Sequence, residues 1–338
     1  MDIGKLPPEI LTRLLSRTRT DPSVIIGPAY GEDAAAVRFG GKLLVAAADP
    51  ITFATDRVGY YAVSVNANDI AVLGAIPRYF LATILLPEGS AESDAESVFN
   101  EIEDACRAID VTLIGGHTEI TPTVSRIVVS GCMLGEADEN GLVRTSGARV
   151  GDALVLVGGI AIEGASILAR EAKSDLLARG VDESVIERAR DYLDDPGICV
   201  LRYARIAMYI GGVTAMHDPT EGGLATALRE LAAASDNGIR VDRASIPVLP
   251  ECNDFCRALG IDALGLIASG SLLIAVDPGS VEGMLNGFEQ ADIPARCIGS
   301  VTAPDDGIRF DDGAPLPSFD RDEIARYFDE RNQRRCEC

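Results

Sequence analysis

Four short segments of this chain set a carboxylate beside glycine or other small residues: GEDAAAV (31–37), AADPITFATD (47–56), NANDIAVLGA (66–75) and GGHTE (115–119). Asp33, Asp49 and Asp69 are hard oxygen donors of the kind that hold Mg2+, which takes one or two carboxylates and leaves the rest of its shell to water and substrate phosphates. Gly115 and Gly116 would let backbone approach a ligand where any Cβ would clash. Together these features suit a metal-bound nucleotide. Singly, each has a plainer reading: Asp33 as a cap, Asp49 before Pro50 as a turn acid, Asn66 or Asn68 bonded to nearby backbone, His117 as a strand-end histidine. With only two histidines in the chain a histidine-rich metal site is excluded. Neither GxxxxGK[ST] nor a GxGxxG following a strand occurs, so a P-loop and a Rossmann site are both unavailable.

The elements that must position these residues alternate in type. A short helix is expected over 7–17, a buried strand over 42–49, a helix over 58–74, a strand over 78–86, an amphipathic helix over 92–109, and strands at 111–116 and 126–134. The turn-rich stretch RTSGARVGD (144–152) breaks the pattern and marks a domain boundary. Beyond it a fresh strand, ALVLVGG (153–159), is expected, then helices near 162–172, 178–193 and 199–210. GVTAMHDPTEGGLATALRELAAA (212–234) then reads as strand, tight turn and helix. Strand, helix and strand follow over 270–277, 280–290 and 295–301, with a last helix over 321–331. The fold class is α+β or α/β in two domains, 1–146 and 147–318, followed by a helical segment and tail, 319–338.

Composition narrows the function. A formal charge of −22 repels nucleic acid and anionic membrane. No apolar run reaches membrane-spanning length and no leader pattern is present, so a soluble, cytoplasmic protein is expected. Cys106, Cys132, Cys199 and Cys297 lie in apolar segments and read as core, and Cys252 and Cys256 share a helical face without a second pair to complete a zinc set. Cys336 and Cys338 fall beyond the last helical pattern, on a polar tail.

GEDAA, an aspartate after the following strand, NDIAVLGAIP and GGHTE, in this order, resemble the amino half of the ATP-binding superfamily of aminoimidazole ribonucleotide (AIR) synthase, thiamine-monophosphate kinase, selenophosphate synthetase and the hydrogenase-maturation protein HypE, the PurM-like fold. HDPTEGGLATALRELAAASDNGIRVDRASIPVLPE (217–251) and ALGIDALGLIASGSLLIAV (258–276) are similar to the HypE carboxy domain. The resemblance spans roughly 20 to 315. It implies a homodimer whose amino-terminal domains pair into a barrel, with ATP and Mg2+ as ligands. Asp33, Asp49, Asp69 and Glu119 would lie around metal and phosphates. Asn66 and Asn68 would fix the loop or the nucleotide, and Gly115, Gly116, His117 and Thr118 would line it. Asp218, Thr220, Gly222 and Gly223 would face it from the second domain, the glycine pair opening a helix whose N-terminus favours anions.

The same resemblance implies an ATP-dependent enzyme that phosphorylates a carbonyl-type oxygen. In HypE the acceptor is a carbamoyl group on the sulfur of the carboxy-terminal cysteine, dehydrated to a thiocyanate, which implies carbamoyl-transfer and hydrogenase-assembly partners. Cys338 stands in the carrier's place, and extended DERNQRRCEC would reach about 30 Å at roughly 3.3 Å per residue. The chain departs from the family pattern in three places: the RRCEC ending, the lack of a glycine-rich amino-terminal segment, and a serine in LIASGSLL where a glutamate is usual. Two alternatives follow, a small-molecule kinase or ligase of the thiamine-monophosphate kinase or AIR synthase type, and a non-catalytic nucleotide-binding scaffold.

Overall fold

The computed structural model describes residues 5–19 and 21–336. In chain order the elements are α1 (Pro8–Leu15), β1 (Val24–Ile26), β2 (Ala35–Phe39), β3 (Lys42–Ala47), β4 (Pro50–Ile51), α2 (Val58–Val72), β5 (Ile76–Pro87), α3 (Glu92–Ala108), β6 (Thr112–Thr121) and β7 (Val128–Ala137). Then come β8 (Ala153–Val157), α4 (Ile162–Glu171), α5 (Lys173–Ala178), α6 (Glu183–Arg190), α7 (Leu201–Ile210), β9 (Val213–His217) and α8 (Gly223–Ser235). The chain closes with β10 (Gly238–Val241), α9 (Pro250–Leu259), β11 (Leu272–Val276), α10 (Val281–Gln290), β12 (Ala295–Thr302), β13 (Ile308–Phe310) and α11 (Glu323–Cys336). These form two compact units, one of residues 19–28 and 32–142, the other of Val143 onward with α1 and residues 29–31.

The first unit is built on a sheet in the order β1-β2-β3-β7-β5-β6, with β4 beside β7, antiparallel except for the β5–β6 pair. Helix α2 packs on β7 and against α3. Thirteen of its fifteen residues are buried, which explains its apolar character all round. Gly59 sets its closeness to α3, since a Cβ there would meet the carbonyl oxygen of Val98 at 2.7 Å. At the other end of the sheet, β6 is an edge strand with most residues exposed.

In the second unit the sheet order is β13-β10-β12-β8-β11-β9. Strand β11 is buried throughout and β8 nearly so, the signature of strands covered on both faces, and both read as continuous apolar runs in the sequence. Leu154, Leu156, Leu228, Leu273 and Phe310 centre the core.

The structure departs from expectation at several points. The helix expected over 178–193 begins only at Glu183, because Gly180 takes a positive φ of 84° and the Asp182 side chain caps the start at the Ser184 N–H. Cys297 is exposed rather than core, at a register shift of β12 between Cys297 and Gly299, and Cys132 and Cys199 are only half-buried. Helix α11 runs on to Cys336, which is helical backbone and not tail. Among the described residues no helix is long and apolar enough to cross a membrane.

Candidate functional site

In the first unit the polar residues of α2 are placed by the strand that precedes it. Asn66, fully buried, is a bracket: its Oδ1 accepts from the Asp49 N–H at 2.9 Å, while Nδ2 donates to the Asp49 carbonyl at 3.2 Å and to Ala62 at 2.8 Å. Gly131 of β7 donates to the same Asp49 carbonyl, and a Cβ at Gly131 would meet Asn66 Nδ2 at 2.5 Å. Asn66 therefore fixes the loop that carries Asp49. One turn along α2, Asn68 and Asp69 are buried, at 0% and 5% exposure. Asp33 and Asp49 are half-buried. No three of Asp33, Asp49, Asp69 and Glu119 bring carboxylate oxygens within 4.8 Å of one another, so these four do not form a closed carboxylate cage. Such an open donor set fits Mg2+, which keeps water and substrate oxygens in its shell.

The GGHTE run lies in the middle of edge strand β6 rather than at a strand end. Gly115, Gly116, His117, Thr118 and Glu119 are all exposed, and His117 Nε2 lies 3.2 Å from Glu119 Oε2 on one face of the strand. The two glycines differ. Gly116, at φ 148°, approaches β5 so closely that a Cβ would meet the Ala82 carbonyl oxygen at 1.9 Å. That glycine is required by the neighbouring strand. Gly115, at φ 149°, has open space where a Cβ would go.

In the second unit β9 ends on His217, and the chain turns through buried Asp218 and Pro219 into α8. Gly222 and Gly223 take positive φ of 81° and 64°, which any other residue adopts with strain, and a Cβ on Gly223 would meet the Leu264 carbonyl at 2.5 Å. His217 Nε2 sits 2.9 Å from Glu230 Oε2, two turns into α8, with both residues buried. The Thr220 carbonyl accepts from the N–H groups of Gly223 and Ala268.

Several residues around this turn carry no local sequence signal. Asp322 reaches back over a separation of 100 residues to accept the Gly222 N–H at Oδ2, 2.6 Å, so this N–H at the opening of α8 is already taken by a carboxyl of the chain itself. Burial pushes its carboxyl up to about 7 against the bonds from Gly222, Ile324 and Ile267 that favour the ionised form, with Glu221 adding to the rise. Glu163, in the first turn of α4, is raised to about 7 by burial above all, with the charges of Asp322 and Glu221 adding and bonds from Ser269 opposing. Its Oε2 has no hydrogen-bond partner among the described residues. Ser269, in LIASGSLL, thus meets a carboxylate that comes from α4.

The C-terminal segment is docked from Phe319 to Arg331. Phe319 packs where a Cβ on Gly265 would go, Glu323 Oε2 accepts from the Asp262 N–H at 2.9 Å, and Tyr327 donates to Asp175. Arg331 donates to the Glu171 carbonyl at 2.7 Å. Most of DERNQRRCEC is therefore helix, rising about 1.5 Å per residue instead of 3.3. Cys338 lies outside the described residues.

Comparison with known proteins places both halves of the chain in one family. Residues 31–137 match the N-terminal domain of AIR synthase related proteins, and residues 149–312 match the C-terminal domain. A hydrogenase expression/formation protein of Methanocaldococcus jannaschii is 29% identical over 315 residues, covering 90% of each chain. Carbamoyl dehydratase HypE of Escherichia coli is 30% identical over 239 residues, 70% of this chain and 67% of that protein. Among solved structures, HypE in complex with ATP superposes with a TM-score of 0.69 at 24% identity, covering 93% of this chain and 96% of that one. The HypE–HypF complex gives 0.70 at 23%, covering 86% and 94%.

Proposed function

The chain belongs to the AIR synthase related proteins, with HypE among its relatives, and from that premise we propose that it is an ATP-dependent carbamoyl dehydratase of the HypE type, acting in hydrogenase maturation. The observation that carries this reading is the 30% identity to the E. coli carbamoyl dehydratase over 239 residues. ATP activates a carbonyl-type oxygen of a carbamoyl group by phosphorylation, so that the oxygen leaves as phosphate and a nitrile remains. A relative solved with ATP bound supports nucleotide use.

Asp33, Asp49 and Asp69 would hold Mg2+ through its water shell, and the ion would supply positive charge to the phosphates of a chain whose own charge is −22. Asn66 holds the Asp49 loop in place for that task. In the second unit Asp218 and Thr220 would contact the nucleotide, while the N–H groups of Gly222 and Gly223 shape the turn through Asp322 and the Thr220 carbonyl. Glu119 and His117 on β6 stand at an edge. Exposed apolar side chains on the same strand, Ile114 and Ile120 at 51% and 61%, support pairing of β6 with a second copy, and so a homodimer. A HypF-like carbamoyl-transfer protein is the partner that this reading calls for.

Calorimetric titration with ATP tests the site. Asp69→Ala, or removal of Mg2+, weakens binding at least about tenfold, some 1.4 kcal/mol. Undiminished binding in both cases removes the site.

A further inference from the structure

Only three lysines occur in this acidic chain, and one of them, Lys5, reaches the His217–Gly223 turn. Its Nζ donates to Thr220 Oγ1 at 3.3 Å across 215 residues of sequence and lies 3.6 Å from Glu230 Oε1. The other oxygen of Glu230 holds His217 at 2.9 Å, the residue that leads into Asp218. Lysine, glutamate and histidine thus form a chain of contacts underneath the turn, gripping it at Thr220 and at His217.

The electrostatics agree with the geometry. Burial alone would raise the carboxyl of Glu230, but the Lys5 ammonium and the bond to His217 outweigh it and hold the carboxyl below its ordinary value. Tyr30 faces the same group, and Gly31 is required beside it, since a Cβ there would meet the Glu230 carbonyl oxygen at 2.9 Å. A buried carboxylate left without its cation would be costly, so Lys5 keeps Glu230 ionised and the His217 contact charge-assisted.

We infer that Lys5 is a positioning residue that fixes the Asp218–Gly223 turn in its binding geometry through Thr220 and the Glu230–His217 pair. That this turn serves a nucleotide rests on the function proposed above; that Lys5 holds the turn does not.

The experiment uses full-length protein with Lys5→Met and Lys5→Arg, with two readouts. Hydrogen exchange of the amides of residues 217–224, measured without ligand, accelerates about tenfold or more in Lys5→Met, because the turn opens locally more often. It returns close to the parent rate in Lys5→Arg, which keeps the charge. ATP, as the probe of the second readout, binds Lys5→Met at least about fivefold more weakly than the parent, with Lys5→Arg between them. Unchanged exchange in Lys5→Met, or exchange in Lys5→Arg as fast as in Lys5→Met, overturns the inference. Parent protein that binds no ATP counts against the proposed function, while the exchange comparison still decides the role of Lys5.

Discussion

Glu163 and Asp322 bring two carboxyls with raised pKa to the opening of α8, and the sign of their effect on stability follows from burial. An unfolded carboxyl titrates near pH 4, whereas each of these titrates at about 7 in the folded chain. Below about pH 4 both states are protonated and no difference arises. As pH rises from there to about 7, only the folded state retains the proton, so this contribution to stability falls across the window and is flat above it. Glu163→Gln, which keeps an acceptor for Ser269, should gain stability relative to the parent between pH 5 and 7.5 by urea denaturation. A difference independent of pH would show that Glu163 is ionised throughout. Legibility in the sequence follows the same contrast. Asn66, Asn68 and Asp69 stand out because they are polar at apolar spacing in one helix. Lys5, Glu163 and Asp322 do not, because their partners lie 215, about 106 and 100 residues away, and no local pattern records such a contact.

At the scale of elements, the glycines of β6 separate backbone strain from packing. Gly115 and Gly116 have nearly the same φ, yet only Gly116 faces a carbonyl, at 1.9 Å from where a Cβ would stand. Gly116→Ala should therefore destabilise the first unit by at least about 2 kcal/mol more than Gly115→Ala in denaturant unfolding, the difference being the steric term alone. Equal costs would mean that β6 shifts away from β5 freely. Most helices and strands were readable from period and turn residues, since apolar runs such as 153–157 and 272–276 and the caps around them act locally. GGHTE does not reveal that β6, expected to end at 116, runs on to Thr121, because paired glycines mark close approach without saying whether a ligand or a neighbouring strand comes close. The continuation of α11 to Cys336 has no local signal for a related reason: RNQRRC carries no apolar stripe, and the helix is anchored by Tyr327 and Arg331 on distant residues.

Across the whole molecule, one expectation concerns what the chain assembles with. The exposed edge of β6 predicts a dimer, which sedimentation at micromolar concentration checks; a single-chain mass would contradict it, and Ile120→Asp should shift the equilibrium toward monomer if the edge is the seam. The central claim is that ATP removes water from a carbamoyl group carried by this chain. It is tested most directly by intact-mass spectrometry of the full-length protein incubated with a carbamoyl-transfer system, with and without ATP, for the parent and for a chain lacking Cys338. The account predicts an adduct of carbamoyl mass confined to the C-terminal peptide, absent when Cys338 is deleted, which loses one water only when ATP is present and releases one ADP per water lost. ATP turnover that proceeds equally without Cys338, with no adduct on the tail, would contradict it and favour a free small-molecule acceptor.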